Sequence, residues 1–166
     1  MTSASMILRH VVATLAYRAA KVMRDVPADF GSTSFGSTTR RPVLIVAHLA
    51  DLMSWAITIA EGNVKWKAAG TDDWEVEVKR FFSGLFILDR VLDEKTLPDV
   101  DIEQLIQGPL ADALTHVGQL AMLRGMAGHA IRPESYARAE IVRGRVGPDQ
   151  APARREFEGD ASVPRK

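Results

Sequence analysis

A chain of 166 residues, 46% hydrophobic and 25% charged, is long enough to bury one sizeable core and reads as a single ordinary globular domain. Its 21 basic and 21 acidic residues cancel, so no net field draws it to nucleic acid or to an anionic membrane. The absence of cysteine excludes disulfides, thiolate metal ligands and a cysteine nucleophile, so a thiol in its chemistry would come from a cosubstrate.

The N-terminal stretch has the apolar content of a targeting segment, but Arg9, His10, Tyr17 and Arg18 interrupt it and no small-residue cleavage site follows. Leu8, Val11, Val12, Leu15, Ala19, Val22 and Met23 recur at helical spacing, predicting a helix over 5–24 with His10 and Tyr17 on its far side. Residues 27–41, rich in Gly, Ser and Thr, read as a loop. Pro42 suits the first turn of a second helix, which runs to Glu61 and stops at Gly62-Asn63. Residues 63–72 form a crossover containing Trp66, and Thr71 or Asp72 caps a third helix over 73–94. Val78, Phe81, Phe82, Leu85, Leu88 and Leu92 make its buried face.

A short helix is expected over 102–107, after which Gly108-Pro109 opens a fourth long helix that reaches Ala127 and closes at Gly128. A brief helix over 135–144 then precedes a Pro- and Gly-rich charged tail, expected to lie extended along the bundle and then fray. No run approaches the roughly 18 apolar residues of a membrane span. Strand signals are weak throughout. The prediction is an all-α four-helix bundle over 1–147 with short extra helices, and an extended tail over 148–166. The cytoplasm is the default location.

His48 falls mid-way along the second helix on the stripe Leu44, Leu52, Trp55, Ile59. Asp112 and His116 fall on the fourth, in line with Leu120, Leu123 and Ala127. Offsets of four and seven keep such side chains on one face. Asp112 and His116, one turn apart, can reach a single ion, and His48 would add a third ligand from the facing helix. Two nitrogens and one oxygen suit zinc, nickel or iron(II), and three protein ligands leave the open position typical of a catalytic site. One carboxylate and a dication leave a net charge of about +1, suited to hydroxide, thiolate or enolate. The rival reading is a metal-free buried network in which Asp112 orients His116 while His48 bonds a carbonyl or water.

Other side chains carry weaker signals. Asp51 either orients the His48 imidazole or faces solvent. Gln119 either bonds a metal-bound water or bridges helices at the bundle edge. Arg124, with Arg138, Arg143 and Arg145, is a candidate for holding an anionic substrate or cosubstrate at the metal mouth, the alternative being pairing with Glu140 and Asp149. Gln119 and Arg124 are thus the cofactor-binding candidates. Trp55 reads as core, His10 and His129 as surface, and Phe82 or Phe86 as a contact between two copies. No serine occupies a nucleophile elbow, and GSTSFGST lacks the lysine and strand context of a phosphate loop.

The run ADALTHVGQLAMLRGMAG resembles the last long helix of the DinB-like superfamily, which often reads His-x-x-x-His-x-Gly-Gln. PVLIVAHLADLMSWA resembles that superfamily's second helix with its single inward histidine. The likeness extends over nearly the whole chain, including the helix spacing and the tail YARAEIVRGRVGPDQAP. Asp112 stands where many members have the first histidine of the pair. The mycothiol-dependent maleylpyruvate isomerase branch similarly uses a carboxylate followed four residues later by histidine.

The resemblance implies a divalent metal, zinc or nickel, on His48, Asp112 and His116. It also implies a low-molecular-weight thiol as cosubstrate in S-transfer or isomerisation of an unidentified small molecule. Pairing of two copies through helices is expected too, with the face carrying His10 and Tyr17 as a possible patch. The alternative is a stress-response or scaffold bundle that binds a metal or small ligand without turnover. Neither nucleic acid nor a membrane is an expected partner. The DinB label is shared with a DNA polymerase that this chain does not resemble.

Overall fold

Residues 3–157 are described by the computed structural model. Among them five α-helices follow in order: α1 (Ser3–Met23), α2 (Pro42–Ala60), α3 (Trp74–Glu94), the short α4 (Asp99–Leu105) and α5 (Ala111–Met126). α1 packs against α3 and α5, and α2 packs against the same two, so the four long helices close a ring in the order α1, α3, α2, α5. This is the all-α bundle that the helical periodicity predicts. The core is built from Leu8, Leu15, Leu49, Met53, Phe81, Leu85, Leu88 and their neighbours, each essentially sealed from solvent. Burying each such side chain contributes about 1.5–3 kcal/mol.

Local signals explain the ends of the elements. Pro42 occupies the first turn of α2, where its missing N–H leaves no bond unmade. α2 ends with Gly62 at φ +74° and the Asn63 N–H donating to the Thr58 carbonyl at 2.8 Å. α5 ends the same way, with Gly128 at φ +79° and His129 donating to the Arg124 carbonyl at 2.9 Å. These are the left-handed caps that glycine adopts without strain. α2 is long and apolar enough to cross a bilayer by length and composition, contrary to the run-length expectation, because averaging tolerates His48 and Asp51. Most of that stretch is buried inside the bundle, as its central position requires.

Several boundaries differ from the sequence reading. Asp73, rather than Thr71 or Asp72, caps α3, its carboxylate accepting from the Val76 N–H at 3.1 Å. Thr71 is instead held by Glu77, which accepts from its N–H and its hydroxyl. The short helix starts earlier than expected and does not stop. It passes through a π turn, Ile106–Leu110, kinked at Gly108 (φ −93°, ψ −106°), directly into α5. Pro109 therefore lies inside the kink rather than at the start of α5. The expected helix over 135–144 shrinks to a single 3-10 turn, Tyr136–Arg138. That stretch has no apolar stripe to offset the cost of nucleating a helix.

The segment is a strap instead. Glu134, its side chain sealed from solvent, accepts from the Tyr17 hydroxyl and from the Lys21 ammonium, both at 2.7 Å. Lys21 also donates to Glu156 at 2.8 Å, beside an isolated antiparallel bridge between Glu134 and Glu156. Tyr17, read as lying on the outer side of α1, is consequently buried, which removes it from any exposed pairing patch. Burial and the bond to Glu134 push its hydroxyl pKa up. Burial alone would lower the Lys21 pKa, but its bonds to Glu134 and Glu156 outweigh that and raise it. The bond from Lys21 holds the Glu156 carboxyl below its ordinary value. The fraying expected of the tail concerns 158–166, which lie outside the described residues.

Candidate metal centre

α2 and α5 are neighbours in the ring, and the kink before α5 sets its direction. At that kink Gly108 lies under the Trp55 indole, where a Cβ would come within 3.1 Å of the ring. Asp112 in the first turn of α5 and His116 one turn later then face His48 of α2. Asp112 Oδ2 lies 3.3 Å from His48 Nε2, and Asp112 Oδ1 lies 3.3 Å from His116 Nε2. The two imidazoles are perpendicular, with centroids 4.8 Å apart. One donor atom from each residue falls within 4.8 Å of the others, so the trio can hold a metal ion. Bonds of about 2.0–2.2 Å to a common ion place neighbouring ligand atoms about 3–3.5 Å apart. Each carboxylate oxygen meets that spacing with one of the two rings, and one atom from each residue lies within 4.8 Å of the others.

The trio sits nearer solvent than the helical wheel implies. The side chains of His48, Asp112 and His116 are 24%, 45% and 12% exposed, and Leu44 on the same stripe is also exposed. The case for an ion therefore does not rest on desolvated charge. It rests on lone pairs. Gln119 Oε1 lies 2.7 Å from His116 Nδ1, an arrangement that suits a proton on Nδ1. In the neutral ring Nε2 then points its lone pair at a carboxylate oxygen 3.3 Å away. Two electron-rich atoms at that separation need a cation between them, a proton or a metal ion. Gln119 bonds a residue of its own helix rather than one on a neighbouring helix, and it lines the pocket beside the trio. An acceptor at that nitrogen is the kind of contact that orients metal-bound histidines.

A pocket of about 520 Å³ opens on the trio, lined also by Thr38, Thr39, Arg40, Ile45, Gln119, Met122 and Leu123. Phe30, buried and edge-on to Phe35 and Trp74, anchors the loop that brings residues 38–40 there. On another flank Trp66 stands edge-on to His48 (5.8 Å between centroids) and to Trp55 (5.9 Å). The crossover carrying Trp66 is tied to α2 at two points. The Lys65 N–H donates to the Thr58 hydroxyl at 3.0 Å, and the Ala69 N–H donates to Asp51 at 3.1 Å.

Asp51 thus neither orients His48 nor faces solvent. It is buried and bonded to Arg80 at 2.7 Å, and Arg80 also binds Glu77 and the Ala47 carbonyl. Burial alone would lower the Arg80 pKa, but its bonds to Asp51 and Glu77 outweigh that and raise it.

Arg124 does not line the pocket. Its guanidinium donates to the carbonyls of Val22, Arg24 and His129, closing the C-terminal end of α1. Burial lowers its pKa. Arg145 pairs with Glu140, and Arg143 lines a groove with α1, so the expected gathering of arginines at the metal mouth does not form. Phe81 and Phe82 are buried, whereas Phe86 is exposed beside an apolar groove on α3. Trp66, Thr38, Thr39 and Arg40 were not singled out from the sequence. They lie in irregular segments, where periodicity assigns no side to a side chain.

No protein-family model matches this chain, and no curated protein or solved structure matches it significantly.

Proposed function

We propose that this chain is a DinB-like bundle that holds one zinc or nickel ion on His48, Asp112 and His116 and works with a low-molecular-weight thiol, in S-transfer or isomerisation. The observation that carries the reading is the convergence of two imidazoles and a carboxylate from two helices, their ligand atoms all within 4.8 Å of one another. The three side chains present nitrogen and oxygen donors to one point, and the pocket leaves room for a small molecule beside them. A dication bound there supplies charge that favours the ionised form of a thiol or water at neutral pH. Asp112 faces both imidazoles with its two carboxylate oxygens, Gln119 orients His116, and Trp66 shields a flank of His48.

One observation favours the rival reading of binding without turnover. Among the described residues, the pocket lining beyond the trio carries no carboxylate or imidazole to move a proton. A thiol cosubstrate meets this objection, because it brings its own nucleophile. The two readings separate in one experiment. Protein loaded with Zn²⁺ or Ni²⁺ is offered a panel of small thiols with monochlorobimane, and metal per chain is measured in parallel. The enzyme reading expects thiol-dependent turnover that is lost, together with the metal, in a folded His116→Ala variant. Stoichiometric metal without turnover across the panel favours the binding reading. No retained metal sinks both.

A further inference from the structure

We propose that Arg40, with the hydroxyls of Thr38 and Thr39, forms an anion subsite, so that the molecule taken by the pocket carries a carboxylate besides the group that meets the metal. This inference rests on the metal reading above and names the class of ligand for it.

Three observations converge on Arg40. Its neighbour Arg41 is engaged with Asp72 at 3.0 Å and caps the start of α2, whereas Arg40 has no ion pair or hydrogen bond among the described residues. Among the described residues, Arg40 is also the one cation on a lining whose single carboxylate, Asp112, faces the two histidines. A dication on the trio outweighs Asp112 and leaves the pocket cationic, so an anionic ligand is the complement its field selects. Finally, the lining is divided. Gln119 and the three candidate ligands supply polar atoms at the metal, Thr38, Thr39 and Arg40 supply donors from the loop, and Ile45, Met122 and Leu123 are apolar. Such a lining offers a small molecule a metal, an apolar wall and a cationic donor group in one pocket. The planar guanidinium is the donor best matched to a carboxylate, which it can grip with two parallel bonds.

The test uses cobalt(II) as the probe metal, because its visible and near-ultraviolet absorption reports ligand binding without any assay of activity. Cobalt-loaded protein is titrated with 3-mercaptopropionate and with 3-mercaptopropan-1-ol, which match in thiol and chain length but differ in charge. The wild type is expected to bind the carboxylate about tenfold or more tightly than the alcohol, the range of a charge-assisted hydrogen bond. In Arg40→Gln that preference should fall towards unity with cobalt affinity unchanged, and Arg40→Lys should restore part of it. Equal binding of the two thiols by the wild type, or a preference that persists in Arg40→Gln, overturns the subsite and leaves the metal reading standing. Failure of the wild type to bind cobalt overturns both.

Discussion

At the scale of single residues, the centre is organised by atoms that helical spacing brings within reach but does not orient. His48, Asp112 and His116 were legible because a one-turn offset on a regular helix decides which side chains share a face. The proton on His116 is a finer matter, and the Gln119 oxygen 2.7 Å from Nδ1 suits a proton there. Replacing Gln119 with leucine removes that acceptor and lets the ring adopt either tautomer. Metal affinity measured by titration calorimetry should then fall about 10- to 100-fold without loss of folding. An unchanged affinity would mean that the amide is incidental. Asp51 shows where single-residue reading fails. Its partner Arg80 lies on another helix, and nothing in local spacing links the two. Tyr17 failed for a related reason. A wheel drawn for α1 assumes one buried face, but the strap from the C-terminal third covers the opposite face through Glu134.

Two polar clamps fix the irregular segments to the helices, and the one at Arg80 holds the crossover beside the site. Arg80 joins Asp51, Glu77 and the Ala47 carbonyl, and the same carboxylates hold the backbone of the crossover at Ala69 and Thr71. Arg80→Met would leave Glu77, which is fully buried, and Asp51 without their cation. A loss of about 3–5 kcal/mol is expected in chemical denaturation, accompanied by a change in Trp66 emission as the crossover loosens against His48. A variant as stable as the wild type would contradict this account.

The second clamp, Lys21 with Glu134 and Glu156, fixes the strap to α1. The Glu156 carboxyl is lowered in the fold, so its contribution is full above the ordinary carboxylate value and is lost as pH falls through the lowered one. The Lys21 ammonium is raised, so its contribution is full below the ordinary lysine value and is lost as pH rises through the raised one. Hydrogen exchange at the Ser135 and Phe157 amides, which bond across the strap, should therefore be slow from mildly acidic to mildly alkaline pH once corrected for intrinsic rates. Protection should fall only at the extremes. Lys21→Met should abolish that plateau, and an unaltered profile in this variant would show that the clamp does not hold the strap.

For the whole molecule, the bundle was readable because its four long helices carry apolar stripes of ordinary period, and Phe81, Leu85, Leu88 and Leu92 fall where that period puts them. The kink before α5 was half legible. Gly108-Pro109 marks an interruption, but only packing against Trp55 turns it into a bend rather than a stop. That bend and the ring order, which makes α2 and α5 neighbours, together bring three side chains from two helices to one point. Whether that point holds an ion is tested most directly by X-ray absorption at the metal edge of zinc- or nickel-loaded protein. The account predicts one ion per chain, with scattering from two imidazole rings and a carboxylate oxygen at about 2.0–2.2 Å. It also predicts that one imidazole contribution disappears in His48→Ala. A spectrum showing only light oxygen neighbours, unchanged by that substitution, would contradict it.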